Sequence, residues 1–399
     1  MFKIYLLCDV VDNYGDIGFV YRLARDLYKL DSSLNLVIVV NNLDAFSKIT
    51  GKNSNGTNII NENLSEQNCT NIKILNWNDS KTCSADYDLF EPQIILQCFQ
   101  CKRPLWLEEK LFCPQKKTLT YIINIEYLTA EDWAEDFHLL KSATRSSFVK
   151  KYNFMPGFTK KTGGLVLDQP FLSYAQKHFF LKDDKAISTY LKPFLSDEQI
   201  NLLFNPQVEN ILVFSYQKNF SSMLKAFNLY KQKTGKQLHI LAAQGAGYQS
   251  LVNALDSYKD NFIISHLPFI PYYAWDALLF LTDISFIRGE DSLSRACLAG
   301  IPFIWHAYKQ KDDWQLVKVN ALLNLMKQYF PLDKFSLISD LWNNYNASQN
   351  DLALEEKQIF DFMQNAKNLK PYFEKFSLSL LSLGDAGQKL LEFLKQLNF

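Results

Sequence analysis

Between residues 3 and 307 the chain alternates short apolar runs with helical stretches, and it does so twice, with the proline- and glycine-broken interval FMPGFTKKTGGLVLDQP at 154–170 between the two passes. Strands separated by crossover helices pair in parallel with right-handed connections, so this pattern restricts the chain to an α/β fold of two doubly wound, Rossmann-like domains in series. In the first pass KIYLLCDVV is followed by IGFVYRLARDLYKL, where Phe19, Leu23, Leu27 and Leu30 share a helical face, and then by LNLVIVV. Further buried strands are expected at IKILNW, PQIILQCF and TLTYIINI. The second pass reads VENILVFSY, a helix over 219–232, KQLHILAA, a helix over 247–256, NFIISHLPFI, a helix over 272–281, DISFIRGED, a helix over 292–299, and IPFIWHA. Residues 312–399 read as mainly helical. The expected domains are 1–180, 181–375 and a C-terminal helix within 376–399 that packs back on the first domain.

A length of 399 residues exceeds what one hydrophobic core organises, which agrees with two domains. The 42 basic and 42 acidic side chains cancel, so no global field draws the protein onto nucleic acid or an anionic membrane. The N-terminal apolar run is broken by Asp9 and lacks a small-residue cleavage site, so it reads as a first strand. No later run reaches the roughly 18 apolar residues of a membrane span. Seven scattered cysteines fit reduced thiols, and a cytoplasmic location is expected. The Asn-rich segment 41–72 reads as an exposed surface excursion.

Doubly wound sheets bind ligands at the carboxyl ends of their strands, so the chemistry is sought there, in a central cleft between the two domains. VVDNYGDIG, residues 10–18, follows the first strand. Asp16 directly precedes the expected helix; as an N-cap it would contribute about 1 kcal/mol, and Asp12 would be an ordinary turn residue. The other reading is that the turn presents one or two carboxylates as a base or as a clamp for a cation. Such acids repel a diphosphate. SFIRGEDSLSRACLAG, residues 285–300, offers a place for one: a strand ends at Arg288, Gly289 permits close backbone approach, and Ser292 opens a short helix. The free N–H groups there, with Arg288 and Ser292, suit a diphosphate oxygen. Alternatively Glu290 and Asp291 are helix-start acids favoured by the macrodipole.

VVDNYGDIG, NIEYLTAEDW (124–133), PGFTKKTGGL (156–165), LPFIP (267–271) and IRGEDSLSRACLAGIPFIWHAY (287–308), in this order over residues 4–310, resemble the family of bacterial protein-arginine rhamnosyltransferases that modify translation elongation factor P. The resemblance implies a GT-B glycosyltransferase that transfers rhamnose from dTDP-β-L-rhamnose, with inversion and without a metal or other cofactor, to one arginine of elongation factor P. By family position Asp16 is the general base, Asp12 a supporting carboxylate and Glu290 a further catalytic-site acid. Arg288, Asp291 and Ser292 bind the donor diphosphate, Phe214, Tyr216 and Phe269 the nucleotide base, and Asn13 and Gly15 lie on the acceptor side. Tyr272 stands where relatives commonly carry a Gln that contacts the base. The rival reading is a non-catalytic nucleotide-sugar-binding or scaffolding protein, or a glycosyltransferase with another acceptor.

Several motifs are assigned no chemistry. Asp86 and Asp88 match a metal-binding acid pair by letters alone, and Cys98 and Cys101 lack a second pair for zinc. AAQGAGYQ, 242–249, lacks the third glycine of a dinucleotide fingerprint. His306 is either a cleft residue or a hydrogen-bonded structural histidine.

Overall fold

A computed structural model describes residues 2–11, 15–50, 59–61 and 72–397. The chain divides into two compact units, one of Met1–Gln169 with Leu383–Phe399 and one of Pro170–Ser382. Each is built on its own sheet.

In the first unit β1 (Lys3–Cys8), α1 (Gly15–Leu30), β2 (Asn35–Val40), α2 (Leu43–Thr50), β3 (Ile59–Asn61), β4 (Lys73–Asn76), α3 (Ser80–Leu89), β5 (Ile94–Cys98), α4 (Leu105–Leu111), β6 (Thr120–Ile125), α5 (Trp133–Phe137), β7 (Lys141–Ser142) and β8 (Val149–Phe154) follow one another. The strand order is β3-β4-β2-β1-β5-β6-β8-β7, with antiparallel pairing confined to the edge strands β3 and β7. Leu6 of β1 lies opposite Ile38 on one side and Leu96 on the other, and all six residues of β1 are buried. That burial on both faces is why the run is continuously apolar instead of alternating. The strand β8, parallel to β6, was absent from the sequence reading because VKKYNF carries two lysines and is only half-buried at its centre.

The segment 41–72 differs from the exposed excursion expected of it. Its first part is α2, whose Phe46 is fully buried against Tyr21 of α1, the rings 5.4 Å apart and perpendicular. The polar letters around LDAFSKI hide a helix with one apolar face. Residues 51–58 and 62–71 lie outside the described residues.

The second unit contains α6 (Gln169–Ala175), α7 (Asp184–Ser188), α8 (Asp197–Leu203), β9 (Val208–Val213), α9 (Ser221–Thr234), β10 (Gln237–Ala242), α10 (Tyr248–Leu255), β11 (Ile263–His266), α11 (Tyr272–Phe280), β12 (Ile284–Arg288), α12 (Glu290–Ala299), β13 (Phe303–His306), α13 (Gln315–Met326), α14 (Leu332–Asn346) and α15 (Leu352–Leu381). Its five strands run β11-β10-β9-β12-β13, all parallel. The expected domain bounds fall inside elements of this unit. Residues 170–180 belong to it because Phe171 and Tyr174 place their rings 5.2 and 6.4 Å from that of Phe280, and residue 375 lies within the 30-residue α15.

The chain then returns to the first unit as α16 (Ala386–Lys395), which packs on α1. Asp385 caps it: one carboxylate oxygen accepts from the Gln388 N–H at 3.0 Å and the other from Leu167 N–H at 2.6 Å. Nearby the buried Arg22 of α1 pairs with Asp168 at 3.2 Å. Asp26 of α1 is pushed up to about 9, by burial first and then by its hydrogen bond to Asp385 and that group's charge; Asp168 adds to the rise and Lys29 opposes it. Asp26 thus keeps its proton and donates it to the capping carboxylate.

An unfolded Asp releases its proton near pH 4, so folding takes up a proton between about pH 4 and pH 9, and the stability this site supplies falls as pH rises through that window. Asp26→Asn keeps a donor to Asp385 without the titration. Its melting temperature is expected to gain on wild type between about pH 5 and pH 9, by roughly 2–4 °C per kcal/mol of penalty removed. A pH-independent difference in thermal melts contradicts the shared proton.

Candidate active site

In the first unit Val10 and Val11, after β1, and Gly15 and Asp16, at the start of α1, lie at the carboxyl edge of the sheet. After β1, Asp9 accepts from the Asn41 side-chain amide at 2.5 Å, and Val10 donates its N–H to Asn41 Oδ1 at 2.9 Å, tying these residues to the end of β2. Gly15 is the first residue of α1 and Asp16 the second. The sequence placed Asp16 before the helix as a cap; in the structure it lies within the first turn, and its Oδ2 accepts the backbone N–H of Val11, five residues back, at 2.9 Å. That bond joins the start of α1 to the residues after β1 and holds a carboxylate only 4% exposed at the sheet edge. Its charge is felt by neighbours: the Cys8 and Cys98 thiols are raised well above the ordinary range, mainly by burial and in part by Asp16. Asp12 and Asn13 lie outside the described residues.

In the second unit the ends of β9, β12 and β13 converge. Arg288, the last residue of β12, is 5% exposed, and its guanidinium carbon lies 4.7 Å from the Phe214 ring centre and 4.6 Å from that of Tyr216. Gly289 then turns the chain with φ 70°, a conformation that disfavours any side chain, and its carbonyl accepts from the Trp305 indole N–H at 3.1 Å. The helix α12 begins at Glu290, two residues earlier than expected, so Ser292 is its third residue and not its opener. Asp291 and Ser292 therefore both belong to the first turn, where backbone N–H groups lack intrahelical acceptors. Glu290 forms an ion pair with Lys318 of α13 at 3.2 Å. Phe214 and Tyr216 are half-buried in the loop after β9, outside the core. Phe269 is half-buried in the loop between β11 and α11, and Tyr272 is buried as the first residue of α11.

His306 ends β13 directly opposite Arg288 in the parallel register. Its Nδ1 lies 2.7 Å from Ser215 Oγ, which is 3.4 Å from the Tyr345 hydroxyl, and its ring meets the Tyr216 and Tyr345 rings edge to face. Burial, reinforced by the positive charges of Lys218 and Arg288, lowers His306 to about 3.

Two contributors escaped the sequence reading. The QGAG turn after β10 was dismissed as an incomplete dinucleotide fingerprint. It nevertheless lies against this cluster: a Cβ on Gly247 would fall 2.6 Å from the carbonyl oxygens of Ser215 and Tyr216, and one on Gly245 would fall 2.8 Å from the Phe214 ring. The signal was there, two glycines between a strand and a helix. Lys218 carried no local signal. Its ammonium sits 3.3 Å over the Tyr345 ring and pairs at 2.9 Å with the fully buried Glu355, 137 positions away.

Of the letter-matched residues, Asp86 and the two thiols are structural, and Asp88 is exposed in an ion pair with Lys110 at 2.6 Å. Asp86 is buried and receives hydrogen bonds from Lys3, Lys73 and Tyr5; burial opposes its charge, but these donors hold its carboxyl below the usual range. Cys98 and Cys101 are buried free thiols, the latter pushed up to about 12 chiefly by burial.

Comparison with known proteins bears on the whole chain. The family model described as elongation-factor P (EF-P) rhamnosyltransferase EarP matches residues 4–395. A protein-arginine rhamnosyltransferase of Shewanella oneidensis is 28% identical, covering 98% of this chain and 97% of its own. Another of Pseudomonas putida is 29% identical over 86% of each. A solved structure from work on EarP-mediated arginine glycosylation of translation elongation factor EF-P aligns at TM-score 0.59 and 19% identity, covering 98% of both chains. The shared architecture is the GT-B class, two Rossmann-like α/β units with parallel sheets. Among the described residues no helix is long and apolar enough to cross a membrane.

A histidine held near pKa 3 stays neutral at working pH, so His306 acts there only as a neutral hydrogen-bonding group. The unfolded imidazole takes up a proton below about pH 6.5 and the folded one does not, so stability falls as pH drops through that window. The His306 ring-proton NMR shift is expected to stay flat from about pH 8 to pH 5. An inflection near the usual histidine value contradicts the assignment.

Proposed function

The chain belongs to the EarP family of elongation-factor-P rhamnosyltransferases, and from that premise we propose that it transfers L-rhamnose from dTDP-β-L-rhamnose, with inversion, to an arginine side chain of elongation factor P. The family match over residues 4–395 carries this reading; the chemistry of the two sheet edges supports the roles that follow.

A guanidinium has a pKa above about 12 and delocalised lone pairs, so its nitrogen attacks poorly until a carboxylate orients it and takes its proton. Asp16 is assigned that task. Its hydrogen bond from Val11 N–H keeps the carboxylate in one orientation. Asp12 is assigned a supporting charge, and Asn13 and Gly15 the acceptor side. Glu290 is assigned the further acid, and it would exchange its Lys318 partner for a cationic or hydroxylated substrate group.

The departing diphosphate gains charge as the glycosidic bond breaks. Arg288, Ser292 and the N–H groups around Asp291 are assigned to receive it, so that an arginine and a helix N-terminus do what a divalent cation would otherwise do. Inversion follows from a single displacement, in which the guanidino nitrogen attacks the anomeric carbon opposite the leaving group. Phe214, Tyr216 and Phe269 are assigned to the nucleotide. The first two already clasp the Arg288 guanidinium, so they would position the phosphate-binding arginine as well as meet the base.

Mass spectrometry of elongation factor P incubated with the chain and dTDP-rhamnose is expected to find one deoxyhexose on an arginine, and no adduct refutes the reading. Asp16→Asn should retain donor affinity while turnover falls by about 10²–10⁴-fold; near-normal turnover removes the assigned base. Arg288→Ala should weaken dTDP binding by about 10–100-fold in calorimetric titration, and unchanged affinity refutes the phosphate role.

A further inference from the structure

The imidazole of His306, half-buried at the end of β13, has Nδ1 committed inward and Nε2 without a hydrogen-bond partner among the described residues. Nδ1 lies 2.7 Å from Ser215 Oγ, and Ser215 Oγ lies 3.4 Å from the Tyr345 hydroxyl. Ser215 and Tyr345 are both buried, so their hydroxyl protons need acceptors inside the protein. With Tyr345 donating to Ser215 and Ser215 donating to Nδ1, both protons are satisfied. The reverse order leaves the Tyr345 proton without an acceptor among the described residues. The imidazole proton therefore belongs on Nε2, at the edge of the ring turned away from Ser215.

The backbone that carries this ring is fixed on both sides. The buried Asn346, at the end of α14, donates its amide to the Trp305 carbonyl at 2.8 Å and accepts the Ala307 N–H at 2.8 Å, so one side chain brackets His306. The Trp305 indole donates to the Gly289 carbonyl at 3.1 Å, which ties the end of β13 to the turn that opens α12. In the parallel register His306 lies opposite Arg288, and a single ring touches both. The Tyr216 ring centre is 4.6 Å from the Arg288 guanidinium carbon and 5.3 Å from the His306 ring centre, which it meets edge to face. Guanidinium and imidazole are thus held around one tyrosine at the ends of adjacent strands. Burial, with the charges of Lys218 and Arg288, keeps the ring neutral.

We propose that His306 binds the diphosphate of the sugar donor through Nε2–H, beside Arg288, and that Ser215 and Tyr345 are positioning residues that hold the proton on that nitrogen. This rests on the preceding reading for the donor's identity. An N–H next to an arginine and the first turn of a helix suits an anionic oxygen. A cation would meet the like charge of Arg288, and an apolar group would strip the N–H of water without replacing it. A neutral donor has a further advantage: it adds a hydrogen bond to the charged ligand without placing a second buried cation beside the first.

The test is calorimetric titration of the full chain with dTDP, set beside ring-nitrogen NMR of His306. A glutamine amide nitrogen reaches the place of Nε2, whereas an asparagine amide nitrogen reaches only that of Nδ1. His306→Asn should therefore weaken dTDP binding about tenfold, and His306→Gln should stay within about threefold of wild type. A histidine kept only for its bond to Ser215 gives the opposite order. In wild type Nε2 should carry the proton and its resonance should move when dTDP is added, a readout that needs no variant to fold. Unchanged affinity in His306→Asn, a proton found on Nδ1, or an Nε2 resonance that ignores dTDP overturns the assignment. A chain that binds dTDP through His306 yet leaves elongation factor P unmodified overturns the preceding function and leaves the assignment standing; wild type that binds no dTDP overturns both.

Discussion

Parallel pairing is the constraint on which the rest of this structure depends. In each sheet the central strands run the same way, so every strand end and every following helix start comes to one edge. Side chains remote in sequence are brought together there without dedicated scaffolding. In the first unit that edge holds Val10, Val11, Asp16, Asn41 and the residues after β5 and β6. In the second it gathers Phe214, the QGAG turn, Arg288 and His306, which come from four strands. An antiparallel meander would have split each set between two edges.

The charged groups at these edges are held in ways that differ in consequence. Arg288 is almost fully buried, and an uncompensated buried guanidinium is costly; two ring faces at 4.6–4.7 Å offset part of that cost through the aromatic quadrupole. Such contacts contribute about 0.5–2 kcal/mol each and use no hydrogen-bond donor. Glu355 and Lys218 solve the same problem by pairing, with Ser222 and Asn350 completing the carboxylate's shell. Through Tyr345, Ser215 and His306 that buried pair is in contact, step by step, with the aromatic clasp around Arg288. By contrast the Glu290–Lys318 pair is partly exposed and worth little to stability.

The docking of α16 against α1 shows a different economy. Asp26 and Asp385 would repel if both were ionised, so one keeps its proton and becomes a donor. The ionised partner is then fully used: it caps a helix and fixes Leu167 at the point where the chain leaves the first unit.

Much of this was legible in the letters because the physics behind it is local. Strands buried on both faces read as unbroken apolar runs, and α1, α9, α10 and α11 were located within about two residues by apolar spacing and turn residues. Arg288, Gly289 and the acids after them were legible as a strand-to-helix turn, though the helix start was misplaced by two residues because Gly289, not a polar side chain, caps it. Asp16 was found for its position and misread in its bonding, since a carboxylate reaching back to Val11 looks like a cap from the sequence alone. By itself, then, the sequence determined the parallel α/β class, the order of strands and helices from β1 to β2 and from β9 to β13, and the two loops that carry the acids and the arginine. Only tertiary structure decided that Phe214 and Tyr216 clasp Arg288, that Lys218 meets Glu355, that Asp26 shares a proton with Asp385, and that Phe99, at positive φ, stacks on Tyr127. Each of these contacts joins separate elements, or rests on a backbone conformation set by a neighbouring strand, and no spacing along the chain encodes it.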